Sequence, residues 1–121
     1  MKKLLKQVLV SSITLLFFSC YYDEFPEVVV DIPTDQVISF SNDIATIFVS
    51  YDCSRCHNAF GESPNLTAGN VYAALVPAYV TAENSNESKL YTQLAIEDHR
   101  NVDAQSLALI KKWIDDGAEN N

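Results

Sequence analysis

Five consecutive residues, Cys53-Ser54-Arg55-Cys56-His57, constrain this chain more than any other stretch of it. In a C-x-x-C-H run, two thiols three positions apart share one helical turn. Each can therefore bond one vinyl group of the same porphyrin, which makes the run the attachment signature of c-type haem. The imidazole that follows points at the iron as its proximal ligand. A run of this kind demands a helical turn at residue 53, and the rest of the sequence can be tested for agreement with it.

The first nineteen residues read as an export signal. Lys2, Lys3 and Lys6 supply a positive start, and Val8 to Phe18 form an apolar run interrupted by Ser11, Ser12 and Thr14. That run is too short to span a bilayer comfortably but suits the apolar region of a signal peptide. Phe17-Phe18-Ser19-Cys20 resembles a bacterial lipoprotein cleavage site, which implies cleavage before Cys20 and lipid on its thiol. A plain membrane-anchoring helix that ends in cysteine is the alternative. The cysteine count agrees with lipidation. The chain has three cysteines, and an exported protein with an odd number leaves one unpaired. With lipid on Cys20 and haem on Cys53 and Cys56, none is left over. Haem c is attached outside the cytoplasm, so both signals place the protein in one compartment, as a membrane-anchored lipoprotein facing the periplasm or the cell surface.

Removal of the signal takes three of the eight basic residues and none of the sixteen acidic ones, leaving a net charge of −11. Such a surface disfavours nucleic acid and anionic lipid head groups. It suits a redox protein partner with a basic docking patch, or serves only to keep an anchored domain soluble.

Residues 20–38 read as a lipid-anchored acidic tether, with Asp23, Glu24, Glu27, Asp31 and Asp35 beside Pro26 and Pro33. Proline there breaks both helix and central strand. The remaining domain, 39–121, is small for an independent core, and a covalent haem would supply a large apolar centre. Strand alternation is nearly absent, so the expected class is all-α, with about four helices. The first starts near Ser41 or Asn42 and sets Ile44, Ile47, Phe48 and Tyr51 on one apolar face. A second carries Val71, Tyr72, Leu75 and Val76. A third carries Leu90, Tyr91, Leu94 and Ala95. The last begins at Asp103, places Leu107, Ile110, Trp113 and Ile114 on one side, and stops at Gly117.

Three segments together resemble the small single-haem cytochrome c domains of class I type. They are Ser39-Phe40-Ser41-Asn42-Asp43-Ile44 with Ile47-Phe48 leading into the pentapeptide, Pro64-Asn65-Leu66-Thr67-Ala68-Gly69-Asn70, and the closing run Leu107 to Ala118. The resemblance covers about 39–119, and its most specific part is the pentapeptide. It implies a fold of helices around one covalent haem, with Cys53 and Cys56 as thioether carriers and His57 as iron ligand. It further implies that Pro64 offers its carbonyl to the other ring nitrogen of His57 and that Leu66 packs on the porphyrin. Phe48 and Trp113 become plausible contacts where the first and last helices cross. Ordinary core packing accounts equally for Leu66, Phe48, Tyr72, Tyr91, Leu94 and Trp113.

Class I cytochromes take the sixth iron ligand, usually methionine, from the loop before the last helix. The only methionine here is Met1, which leaves with the signal. His99, in Glu97-Asp98-His99-Arg100-Asn101-Val102, is the one histidine besides His57 and lies in that region. Bis-histidine coordination is the expectation; an exposed loop histidine beside an open iron site is the alternative. The expected function is electron transfer rather than enzymatic chemistry. With an open sixth site, a peroxide-reactive or gas-binding domain takes its place. A zinc module on Cys53, Cys56, His57 and His99 is disfavoured because Cys56 and His57 are adjacent. A dithiol redox role lacks the βαβ pattern that usually surrounds one.

Overall fold

The computed structural model describes residues 30–121. The expected export signal, Cys20 and the tether through residue 29 lie outside the described residues. Among those described, every regular element is helical and no strand forms, in agreement with the all-α class. A π-helical turn, Phe40–Ile44, runs straight into helix α1 (Ala45–Ser50). A 3-10 turn at Cys53–Arg55 follows, then α2 (Val71–Leu75). A second 3-10 turn, Ser85–Glu87, leads into α3 (Lys89–Ala95), and α4 (Ala104–Asp115) closes the domain.

The first helical segment begins earlier than Ser41. Ser39 is extended, and its hydroxyl accepts the Asn42 amide hydrogen. The Asp43 carboxylate accepts the Ser39 amide hydrogen in return, at 2.8 Å. The wide first turn, with the Ile44 N–H bonded to the Ser39 carbonyl at 3.3 Å, brings Phe40 into the interior. Ile44, Ile47 and Phe48 are buried, as their spacing predicts.

α4 is framed by its caps. The Asp103 carboxylate accepts the Ser106 N–H at 2.9 Å. At the other end Gly117 takes φ 113°, a conformation that L side chains resist. Ala118 N–H then bonds the Trp113 carbonyl at 2.8 Å, and Gly117 N–H bonds that of Ile114 at 3.0 Å. This is a Schellman ending, with the buried Ala118 packed inward. Between the caps Ile110, Trp113 and Ile114 are essentially without solvent contact.

On one side of α4 the core is aromatic. Phe40 meets Tyr72 edge-on at 5.1 Å between centroids and Trp113 at 5.3 Å. Both polar handles are satisfied: the Tyr72 hydroxyl donates to the Ala118 carbonyl and the Trp113 indole to that of Glu119, each at 2.9 Å. The chain's last residue is bonded here too, since the Asn121 side-chain carbonyl accepts the Phe40 N–H at 2.7 Å.

Two segments read as loop or tether take part in the core. Ser85 and Ser88, in the Asn/Ser-rich stretch before α3, are buried. The Ser88 hydroxyl accepts the Thr81 N–H and is in bonding distance of the Thr81 and Asn84 carbonyls. Before the expected boundary at 39, Ile38 is buried and Ile32 packs against the core. The end of the acidic segment therefore lies on the domain. No helix among the described residues is long and apolar enough to cross a membrane.

Candidate functional site

The 3-10 turn that carries Cys53, Ser54 and Arg55 starts from Asp52, a non-glycine residue in the left-handed region at φ 50°. His57 N–H bonds the Cys53 carbonyl at 2.9 Å. The two thiols are free; Cys53 is half-buried and Cys56 exposed. Directly after, the chain turns back on itself: the Glu62 N–H bonds the Cys56 carbonyl at 2.9 Å. A Cβ on Gly61 would lie 2.1 Å from that carbonyl oxygen, so the turn admits only glycine without moving. The Leu66 N–H then bonds the His57 carbonyl at 2.8 Å, which closes the loop.

These bonds leave Cys53, Cys56 and His57 on the wall of a cavity of about 210 Å³, partly open to solvent. The wall is largely apolar, and the buried side chains of Phe48, Leu66, Leu75, Leu90 and Leu94 contribute to it.

His99 lies on the same wall. Its ring centroid is 6.0 Å from that of His57, with the ring planes at 73°. The two histidines of the chain, far apart in sequence, thus share one cavity with both thiols of the C-x-x-C run. His99 is itself exposed, which is the feature of the alternative reading of it as a loop histidine. Its main chain is nevertheless anchored, because its N–H bonds the Gln93 carbonyl at 3.1 Å.

Pro64 reaches the wall beside His57, but the expected bond from the imidazole to its carbonyl is not made. His57 Nδ1 is buried and has no hydrogen-bond partner. The backbone bond at Leu66 sets the path of the loop, and on that path the Pro64 carbonyl does not reach bonding geometry. A second correction concerns Trp113. It is committed to the aromatic cluster with Phe40 and Tyr72 and does not line the cavity, whereas Phe48 does.

Burial pushes the Cys53 thiol above its ordinary pKa. The charge of Arg100 opposes that shift and the charge of Asp52 adds to it. The thiol therefore stays protonated near neutral pH, unlike the lowered thiols of dithiol redox sites. Among the described residues, no three His, Cys, Asp or Glu side chains gather in a set that could hold a metal ion. What the arrangement does offer is two neighbouring imidazoles set edge-on, two nearby thiols and an apolar wall.

Several wall residues carry no sequence signal of their role. Tyr79, Lys89 and Gln93 line the cavity only because of how α2 and α3 pack. Tyr51, counted on the apolar face of the first helix, turns its hydroxyl to Asp103 and its carbonyl to Arg100. Compared with known proteins, the chain matches no family model, no curated protein and no solved structure.

Proposed function

We propose that this chain is an electron-transfer c-type cytochrome with one covalently attached haem, held to a membrane by lipid on Cys20. The observation that carries this is the meeting of the C-x-x-C-H turn with His99 across one apolar cavity. Metal–imidazole bonds are about 2.0–2.1 Å long, and two rings whose centroids are 6.0 Å apart are close enough that both could hold one metal ion.

A bound haem supplies one-electron chemistry at its iron. The thiols of Cys53 and Cys56 would hold the group through thioethers, and His57 and His99 would hold its iron. Phe48, Leu66 and Leu94 exclude water from the faces. Were both histidines to hold the iron, no position would remain for a substrate, which favours an electron carrier over an enzyme. Two imidazoles rather than imidazole and thioether favour a lower potential. The acidic surface supports a redox partner with a basic docking patch.

His99 is exposed, and this favours a second reading in which the sixth position is open to peroxide or a small gas. A zinc module is supported least, because Cys53, Cys56, His57 and His99 do not converge on one point. A pyridine haemochrome spectrum of protein matured in a haem-c-competent host is expected to show one haem c per chain. In the same preparation His99→Ala is expected to convert the ferrous spectrum from low-spin to high-spin. A ferrous spectrum that stays low-spin would remove His99 from the iron.

A further inference from the structure

His99 sits in a loop with an unusual backbone. Asp98 (φ 52°), Arg100 (φ 72°) and Asn101 (φ 49°) all lie in the left-handed region, and none is glycine. Residues in that region persist only where their surroundings over-determine them. Two ties do so here, and both end on Tyr51. The Arg100 guanidinium donates twice to the Tyr51 carbonyl, from Nη2 at 2.5 Å and from Nε at 3.2 Å. The Tyr51 hydroxyl accepts the Asp103 N–H at 2.9 Å and donates to the Asp103 carboxylate. Between the ties Val102 is buried in the core.

The target of Arg100 is informative in a chain with sixteen acidic residues against eight basic ones. The carboxylate ion pairs among the described residues belong to Lys111 and Lys112. Arg100 is instead directed at a neutral backbone carbonyl, a contact that fixes geometry rather than neutralises charge. That carbonyl belongs to the residue two positions before Cys53, where the attachment turn begins.

We infer that Tyr51 and Arg100 are positioning residues that set His99 against His57. Resting on the haem reading above, they reference both axial imidazoles to one stretch of backbone. Without the ties, the His99 loop relaxes and the sixth ligand leaves the iron more readily.

The test uses the full-length protein matured with haem, as the parent, Tyr51→Phe, Arg100→Met and Arg100→Lys. Ser88→Ala serves as a control, since it removes a buried, hydrogen-bonded hydroxyl outside the clamp. Mass spectrometry reports attachment, the ferrous spectrum reports spin state, and carbon monoxide trapping reports how fast the distal ligand leaves. Tyr51→Phe and Arg100→Met are expected to keep the covalent haem and to be trapped roughly five- to tenfold faster than the parent, as befits loss of one or two hydrogen bonds. Arg100→Lys, which keeps a donor, is expected to fall between. Ser88→Ala is expected to melt at lower temperature with the parent's trapping rate. Trapping at the parent's rate in both clamp variants, with melting lowered as in Ser88→Ala, overturns the positioning role. A parent that carries no tetrapyrrole overturns the haem reading and this inference with it. A parent that is already high-spin overturns the His99 assignment and this inference with it, and leaves the haem reading standing.

Discussion

The two sides of this small core are built on opposite terms. On one side Phe40, Tyr72 and Trp113 pack against each other, and each polar handle meets a backbone carbonyl. The Schellman ending of α4 and the hydrogen bonds of Asn121 close that side off. On the other side Phe48, Leu66 and Leu94 line an open cavity in which a buried imidazole nitrogen has no partner. The first side is satisfied by the chain alone. The second combines an apolar wall, two thiols and two neighbouring imidazoles, the combination on which the proposed function rests. In a domain of this size a self-sufficient side supplies a rigid floor, and the other side remains free to serve a ligand.

Substitutions on the two sides should therefore separate stability from the site. Trp113→Ala is expected to have the largest effect on folding, a loss of about 3–5 kcal/mol, because the residue is fully buried and its indole is bonded. On the proposed haem reading, the protein that stays folded should keep the parent's ligation and spectrum. A clear shift in spin state with Trp113→Ala would join the two sides and break the comparison. Thermal unfolding followed at the Soret band and by circular dichroism reads both quantities.

Gly61→Ala acts on the cavity side. Its Cβ would press on the Cys56 carbonyl, so the turn after His57 must move. A loss of about 1–3 kcal/mol is expected for such backbone strain and, on the proposed haem reading, a lower yield of attached haem, because the turn that presents the thiols shifts. Full attachment at parent stability would mean that the turn has more freedom than its contacts suggest.

The smallest effect concerns the polar rim between the two sides. The Tyr51 hydroxyl and the Ser106 amide hold the Asp103 carboxyl down to about 2, from an ordinary 3.8. A lowered carboxylate stabilises the fold above its unfolded pKa and loses that contribution as pH falls through its folded one. The carboxyl is largely exposed, so solvent screening keeps the effect modest. Asp103→Asn retains a good helix cap. The stability difference between parent and Asp103→Asn should then shrink as pH drops from 3.8 towards 2. A pH-independent difference in acid titrations would show that the charge of Asp103 contributes nothing.

Much of the helical framework was legible in local pattern. The Ile44, Ile47 and Phe48 face, the Leu90–Leu94 pair, the Ile110, Trp113 and Ile114 stripe and the Gly117 stop all follow from helical spacing and capping chemistry. Each depends on residues within a turn or two of one another, which is the range over which periodicity carries information. The start at Ser39 was not legible, since Ser41 and Asn42 are equally good caps and only the burial of Phe40 favours the earlier residue. Nor was the burial of Ser85 and Ser88, because an Asn/Ser run reads as solvated loop until its partners, Thr81 and Asp115, are in place.

By itself the sequence determined the all-α class and the order of the helices, because spacing along a helix is a local property, and it singled out the C-x-x-C-H run and His99 as candidates. Tertiary structure alone decided which groups meet. It brought His99 to within 6.0 Å of His57, moved Trp113 away from the cavity, withheld the Pro64 carbonyl from the His57 ring and joined Tyr51 to Arg100 and Asp103. Those pairings span long stretches of chain, and the burial of the whole core, not any local preference, settles which of them form.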